Sequence, residues 1–81
     1  MITVKCFALV RELSQCASLT VPFEPGMTIA SLQHQLAHRD ANWQLALEGK
    51  VLSACNQTLV DSDCALCDGD EVAFFPPVTG G

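Results

Sequence analysis

From Ile2 to Phe7 the chain alternates, with Ile2, Val4 and Cys6 on one side and Thr3, Lys5 and Phe7 on the other. A period of two marks a strand with one buried face. Ala8 to Gln15 carries Leu9, Val10 and Leu13 at helical spacing around Arg11 and Glu12, which predicts a short helix. Leu19 and Val21 make Ser18 to Val21 a second strand, closed by the turn residues Pro22, Pro25 and Gly26. Thr28 is a favourable N-cap, and Ile29, Leu32 and Leu36 follow as one apolar stripe. That helix should run to about Arg39, where Asp40-Ala41-Asn42 breaks it. Trp43, Leu45 and Leu47 predict a short, partly packed segment with Trp43 covering the helix end. After the Glu48-Gly49-Lys50 turn come a strand at Val51 to Cys55, a turn at Asn56-Gln57-Thr58 and a brief strand at Leu59-Val60. Asp68-Gly69-Asp70 is a tight-turn signal ahead of the last strand, Glu71 to Phe75, with Val72 and Phe74 on one face and Ala73 and Phe75 on the other.

This order predicts an α+β fold, with one main helix packed on one face of a small mixed sheet of about five strands. At 81 residues and 49% hydrophobic composition the chain is one small domain with a real core. Residues 1–75 form the globular unit and residues 76–81 an extended tail. A net charge of −5 argues against nucleic acid, because phosphate neutralisation needs clustered Lys and Arg. No apolar run has membrane-spanning length and the first residues do not read as a signal peptide, so a cytoplasmic protein without membrane contact is expected. Five cysteines, an odd number, fit reduced thiols better than a disulfide scaffold.

The tail carries the candidate chemistry. Pro76 and Pro77 fix φ and lack an N–H, so they end the strand ladder and favour extended geometry. Val78, Thr79, Gly80 and Gly81 follow, and a diglycine is a thin thread able to carry a carboxylate into a narrow site. A frayed end is the other reading of the same residues.

Phe7-Ala8, Arg11-Glu12, Asn56-Gln57, Asp68-Gly69-Asp70-Glu71-Val72 and Phe75-Pro76-Pro77-Val78-Thr79-Gly80-Gly81 together resemble the small subunit of molybdopterin synthase, over essentially the whole chain. The resemblance implies the ubiquitin-like β-grasp fold and a sulfur carrier. The Gly81 carboxylate would be adenylated by a ubiquitin-activating-like adenylyltransferase using ATP and Mg²⁺. A persulfide donor would convert it to a thiocarboxylate, to be spent on the dithiolene of molybdopterin inside the large synthase subunit. It also implies a heterotetramer with two large subunits, and catalysis on the large subunit rather than here. No cofactor or metal is expected on this chain itself. A carrier for thiamine or tRNA thiolation, or a ubiquitin-like protein modifier, would use the same activated tail.

Docking requires a surface. Phe7 and Phe75 fall on the outward faces of the first and last strands, neighbours in such a sheet, and Leu59 is placed nearby. An exposed aromatic patch beside the tail marks an interface; packing of either ring beneath the tail is the alternative. Arg11 is either a polar anchor at the rim or a solvent partner of Glu12. Cys64-Ala65-Leu66-Cys67 with His34 and His38 supplies the inventory of a Cys₂His₂ zinc site, but His34 lies roughly 200° around the helix from Leu32, facing solvent. The cysteines are read as small, partly buried thiols, and the histidines as surface groups.

Overall fold

The computed structural model describes residues 1–77 of the chain. Its elements are β1 (Ile2–Cys6), α1 (Ala8–Ser14), β2 (Ser18–Val21), α2 (Ile29–Ala37), α3 (Ala41–Ala46), β3 (Leu52–Cys55), β4 (Thr58–Val60) and β5 (Glu71–Phe75). They form one five-stranded sheet in the order β2-β1-β5-β3-β4. The central β1–β5 pair is parallel, with Val4 opposite Val72 and Cys6 opposite Phe74, and the other pairs are antiparallel. This is the expected α+β, ubiquitin-like β-grasp arrangement.

Alternation decides the layers. Ile2, Val4, Cys6, Val72 and Phe74 are the inward residues of the two central strands, all at most 2% exposed, and they meet Ile29, Leu32 and Leu36 of α2, each 0% exposed. Three glycine- or asparagine-led turns set the strand ends. Pro25-Gly26 occupies the centre of a turn closed by Met27 N–H to Glu24 O at 3.1 Å, with Gly26 at φ +85°. Positive φ at the third turn residue is the type II geometry that proline and glycine favour. Asn56 and Gln57, at φ +50° and +69°, form the two-residue loop of the β3–β4 hairpin. Gly69, at φ +93°, serves the turn in which Asp70 N–H donates to Cys67 O.

The start of α2 is capped twice over. Thr28 Oγ1 accepts from Ser31 N–H at 3.2 Å while Ser31 Oγ accepts from Thr28 N–H at 2.9 Å, a reciprocal capping box. The Cys64 and Ser62 carbonyls take the next two orphan donors, Ile29 N–H and Ala30 N–H, at 3.0 and 2.9 Å. The loop before β5 is thereby tied to the main helix.

Two sequence expectations need correction. Helix α2 ends at Ala37 with His38 as its C-cap, short of Arg39, and Asp40 does more than interrupt: its side chain accepts from Trp43 N–H at 2.9 Å and starts α3. Trp43 and Ala46 are then buried, at 3% and 4% exposure, while Leu45 faces water. The expected short helix and main helix are both present, and α3 joins them where only a short packed segment was expected. The reason is local: a capping aspartate after a helix stop reads as a break when its next-turn partner, a backbone N–H, is invisible in the sequence. In α1, Val10 is buried and Leu9 is exposed. Among the described residues, no helix is long and apolar enough to cross a membrane.

Candidate functional site on the open face of the sheet

The helices cover one face of the sheet; among the described residues the other face is left uncovered. Because Cys6 pairs with Phe74, the next residues, Phe7 and Phe75, come side by side at the same end of the central parallel strands, and Phe7 N–H donates to Phe74 O at 3.1 Å. Phe75 is opposite Leu52 across the β5–β3 ladder, so Phe7, Phe75 and Leu52 form one outward row. A second row runs through Ala73, Ala54 and Leu59. Phe7 is 49% and Leu59 65% exposed, whereas Phe75 is half-buried. The result is a continuous apolar surface that begins where Pro76 and Pro77 leave the sheet. Lys5 and Glu71, 3.6 Å apart, bound it on the side away from the tail. An exposed pair of this kind contributes at most about 1 kcal/mol, so its role is to frame the patch rather than hold the fold.

Backbone geometry sustains the aromatic row. Phe7 stays extended at φ −130°, ψ 153° as the N-cap of α1 and makes no side-chain cap. The chain leaves the strand direction one residue later, at Ala8, whose φ is +51°. A left-handed alanine costs roughly 1 kcal/mol. That strain places the sharp turn after Phe7 and leaves its ring in register with Phe75.

Arg11 is exposed on α1, where its N–H donates to Phe7 O at 3.3 Å, and among the described residues its side chain forms no ion pair, with Glu12 or otherwise. Together with Gln15 and Cys16 it lines a surface cleft of about 580 Å³. Leu52 and Ala54, absent from the sequence-derived set, belong to the patch; only the register against Phe75 and Ala73 reveals them. Leu52 and Leu59 also line a groove of about 670 Å³ that continues around the β4 edge past Val60 toward Gln33. Pro76 and Pro77 are half-buried at the root of the tail, and Val78, Thr79, Gly80 and Gly81 lie outside the described residues.

The thiols are not arranged as nucleophiles. Burial pushes the Cys6 thiol up to about 11. Cys55 is also pushed up to about 11, first by burial and then by the neighbouring Asp70 carboxylate, to which its Sγ donates at 3.5 Å. Both remain protonated at neutral pH. Cys64 is half-buried and Cys67 exposed, on a loop rather than at a helix N-terminus. Among the described residues no group of three or more His, Cys, Asp or Glu side chains is placed to hold a metal ion.

Comparison with known proteins places this geometry. The ThiS family pattern matches residues 4–81. The chain is 51% identical to the molybdopterin synthase sulfur carrier subunit of Escherichia coli (strain K12), over 100% of both chains. The crystal structure of SAMP1 from Haloferax volcanii superimposes with a TM-score of 0.83 at 23% identity, covering 99% of this chain and 98% of that one. A protein–protein complex of subunits 1 and 2 of molybdopterin-converting factor from Helicobacter pylori 26695 matches with a TM-score of 0.70 at 23% identity, over 99% and 97% of the two chains. At those identities the two structures attest the fold alone. On the full-length sequence match, the chain belongs to the ThiS family, alongside the molybdopterin synthase sulfur carrier subunits.

Proposed function

We propose that this chain is the sulfur-carrying small subunit of a molybdopterin synthase, and that its working atom is the Gly81 carboxyl carbon. The observation that carries the reading is the apolar patch of Phe7, Phe75 and Leu59 at the point where the tail leaves the sheet. A patch there addresses a partner that must also receive the tail. A relative of 51% identity is a sulfur carrier subunit of molybdopterin synthase, and a chain of the same fold forms a protein–protein complex with a second subunit.

The chemistry follows from the terminus. A carboxylate is a poor electrophile, so the partner adenylyltransferase joins Gly81 to AMP from ATP, with Mg²⁺ on that partner, and pyrophosphate leaves. The terminal sulfur of a persulfide attacks the acyl carbon and AMP departs. A thiol then cuts the resulting acyl disulfide, leaving the thiocarboxylate and a new disulfide on the donor side. The large synthase subunit takes the loaded tail and accepts the sulfur; a dithiolene needs two such deliveries. Pro76 and Pro77 reduce the ordering cost of the thread on docking, Val78 and Thr79 pass into the partner with it, and Gly80 and Gly81 enter where a side chain would block. Arg11 is the polar anchor at the rim of the patch.

Coexpression with the activating enzyme, followed by intact mass measurement, tests this. A shift equal to the replacement of oxygen by sulfur is expected, abolished by deletion of Gly81 with the fold unchanged. Recovery of the free acid alone, or sulfur transfer by the truncated chain, would defeat the proposal. Gly-Gly remnants on lysines of other proteins would instead support a protein modifier. Sulfur delivery to a thiazole or tRNA substrate, but not to the pterin, would support the thiamine or tRNA branch.

A further inference from the structure

Helix α2 carries a feature that sulfur transfer does not use. His34 and His38 stand one helical turn apart on its solvent side, both exposed, with ring centres 4.3 Å apart and planes inclined at 43°. Two histidines at this spacing on one helical face are an established way of presenting a pair of nitrogen ligands. His38 Nδ1 lies 2.8 Å from the His34 carbonyl oxygen. A carbonyl only accepts, so Nδ1 carries the hydrogen and the neutral ring keeps its lone pair on Nε2. An imidazole N–H held by a backbone carbonyl is the outer contact that orients metal-ligating histidines. His38 has that contact in place, and its backbone is fixed as the C-cap of α2 by hydrogen bonds to Gln35 O and Leu36 O.

The separation of the rings bears on whether both can reach one ion. With metal–nitrogen bonds of about 2 Å a ring centre lies about 3.2 Å from the ion, so two rings at right angles have centres about 4.5 Å apart, and at a tetrahedral angle about 5.2 Å. The observed 4.3 Å keeps the two rings close enough to reach one ion. Imidazole nitrogens suit Cu²⁺ and Ni²⁺, which stand high in the affinity order of the divalent first-row metals. Beside the pair, Ala37, His38, Asp40 and Gln44 line a cavity of about 280 Å³. Asp40 Oδ1 is engaged by Trp43 N–H, which leaves the second carboxylate oxygen to solvent. The net charge of −5 favours a cation at this surface, against the local opposition of Arg39.

We propose that His34 and His38 form a two-imidazole site for a divalent transition metal, Cu²⁺ or Ni²⁺, completed by water. With only two protein ligands the site is exchangeable and keeps open positions, as opposed to a closed structural centre.

Titration of the full chain with Ni²⁺ under reducing conditions tests this. Binding of one ion per chain is expected, with the imidazole proton resonances of His34 and His38 broadening in step. His34→Gln and His38→Gln should each weaken binding by at least about tenfold, because either change removes the chelate. The double variant should lose little more than either single one. A Cys64→Ser, Cys67→Ser variant should bind as the parent does. Absence of Ni²⁺ binding, broadening of one histidine alone, unchanged affinity in the histidine variants, or loss of binding in the cysteine variant would each overturn the site.

Discussion

Asn56 and Asp70 clasp one another between the β3–β4 hairpin and the turn that launches β5: Asn56 Nδ2 donates to Asp70 Oδ1 at 3.0 Å. Each also serves its neighbour's backbone. Asn56 Oδ1 accepts from Glu71 N–H at 3.0 Å, and Asp70 Oδ2 accepts from Cys67 N–H at 2.8 Å. The Cys67 N–H first, and the Asn56 amide after it, hold the Asp70 carboxyl below its usual range, against a smaller opposing effect of burial. A depressed folded-state value stabilises the fold above the unfolded carboxylate range, and that contribution is lost as pH falls through the folded value. Asp70→Ala should therefore cost about 1–2 kcal/mol near neutrality. The difference from the parent should shrink in acid. Urea unfolding at a series of pH values reads this directly, and a gap that stays constant into acid would contradict it.

The same carboxylate governs thiol chemistry. With Cys6 buried and Cys55 held protonated by burial and Asp70, a small alkylating reagent at neutral pH should modify exposed Cys67 well before either. Asp70→Asn should raise the labelling rate of Cys55 and leave that of Cys6 unchanged. Mass mapping over a time course distinguishes these sites; early labelling of Cys6 would mean that β1 opens locally.

Much of this architecture was legible because period-two alternation states faces outright. Ser18–Val21 and Glu71–Phe75 appear where their patterns put them, and Phe7 and Phe75 fall on the bare face. The signals that failed were those carried by partners rather than by pattern. Leu52 joins the patch only through its register with Phe75, and Trp43 enters the core only because Asp40 caps α3. Asn56 and Asp70 were legible as resemblance, yet their mutual hydrogen bond depends on strands 14 residues apart in sequence meeting in the sheet.

The β3–β4 loop offers a gain in stability. Asn56 and Gln57 both adopt positive φ, as a type I′ hairpin turn requires, and asparagine followed by glycine is the favoured pair there. Gln57 is exposed. Gln57→Gly should stabilise the domain by about 0.5–1 kcal/mol, visible as a raised melting temperature, because relief of the left-handed strain outweighs the added freedom of the unfolded chain. A lowered melting temperature would show that the Gln57 side chain contributes something the turn geometry does not account for.

The three phenylalanines at the β1–β5 junction should separate addressing from folding. Phe74 is 0% exposed, Phe7 49%, and Phe75 lies between them. Phe74→Ala removes core packing and should cost about 3–5 kcal/mol. Phe7→Ala removes an exposed ring and should change stability by no more than about 0.5 kcal/mol. Phe75→Ala exposes part of Leu52 and Phe7 and should cost about 1 kcal/mol, an intermediate value that follows from its half-burial. If the bare face is the docking surface, binding to the large subunit reverses this order. Phe7→Ala and Phe75→Ala should each lose at least about tenfold in affinity, as buried aromatic anchors of an interface do. Calorimetric binding and thermal melts on the same preparations decide it. A Phe7→Ala variant that binds the partner like the parent would remove the aromatic row from the interface, whatever its effect on the fold.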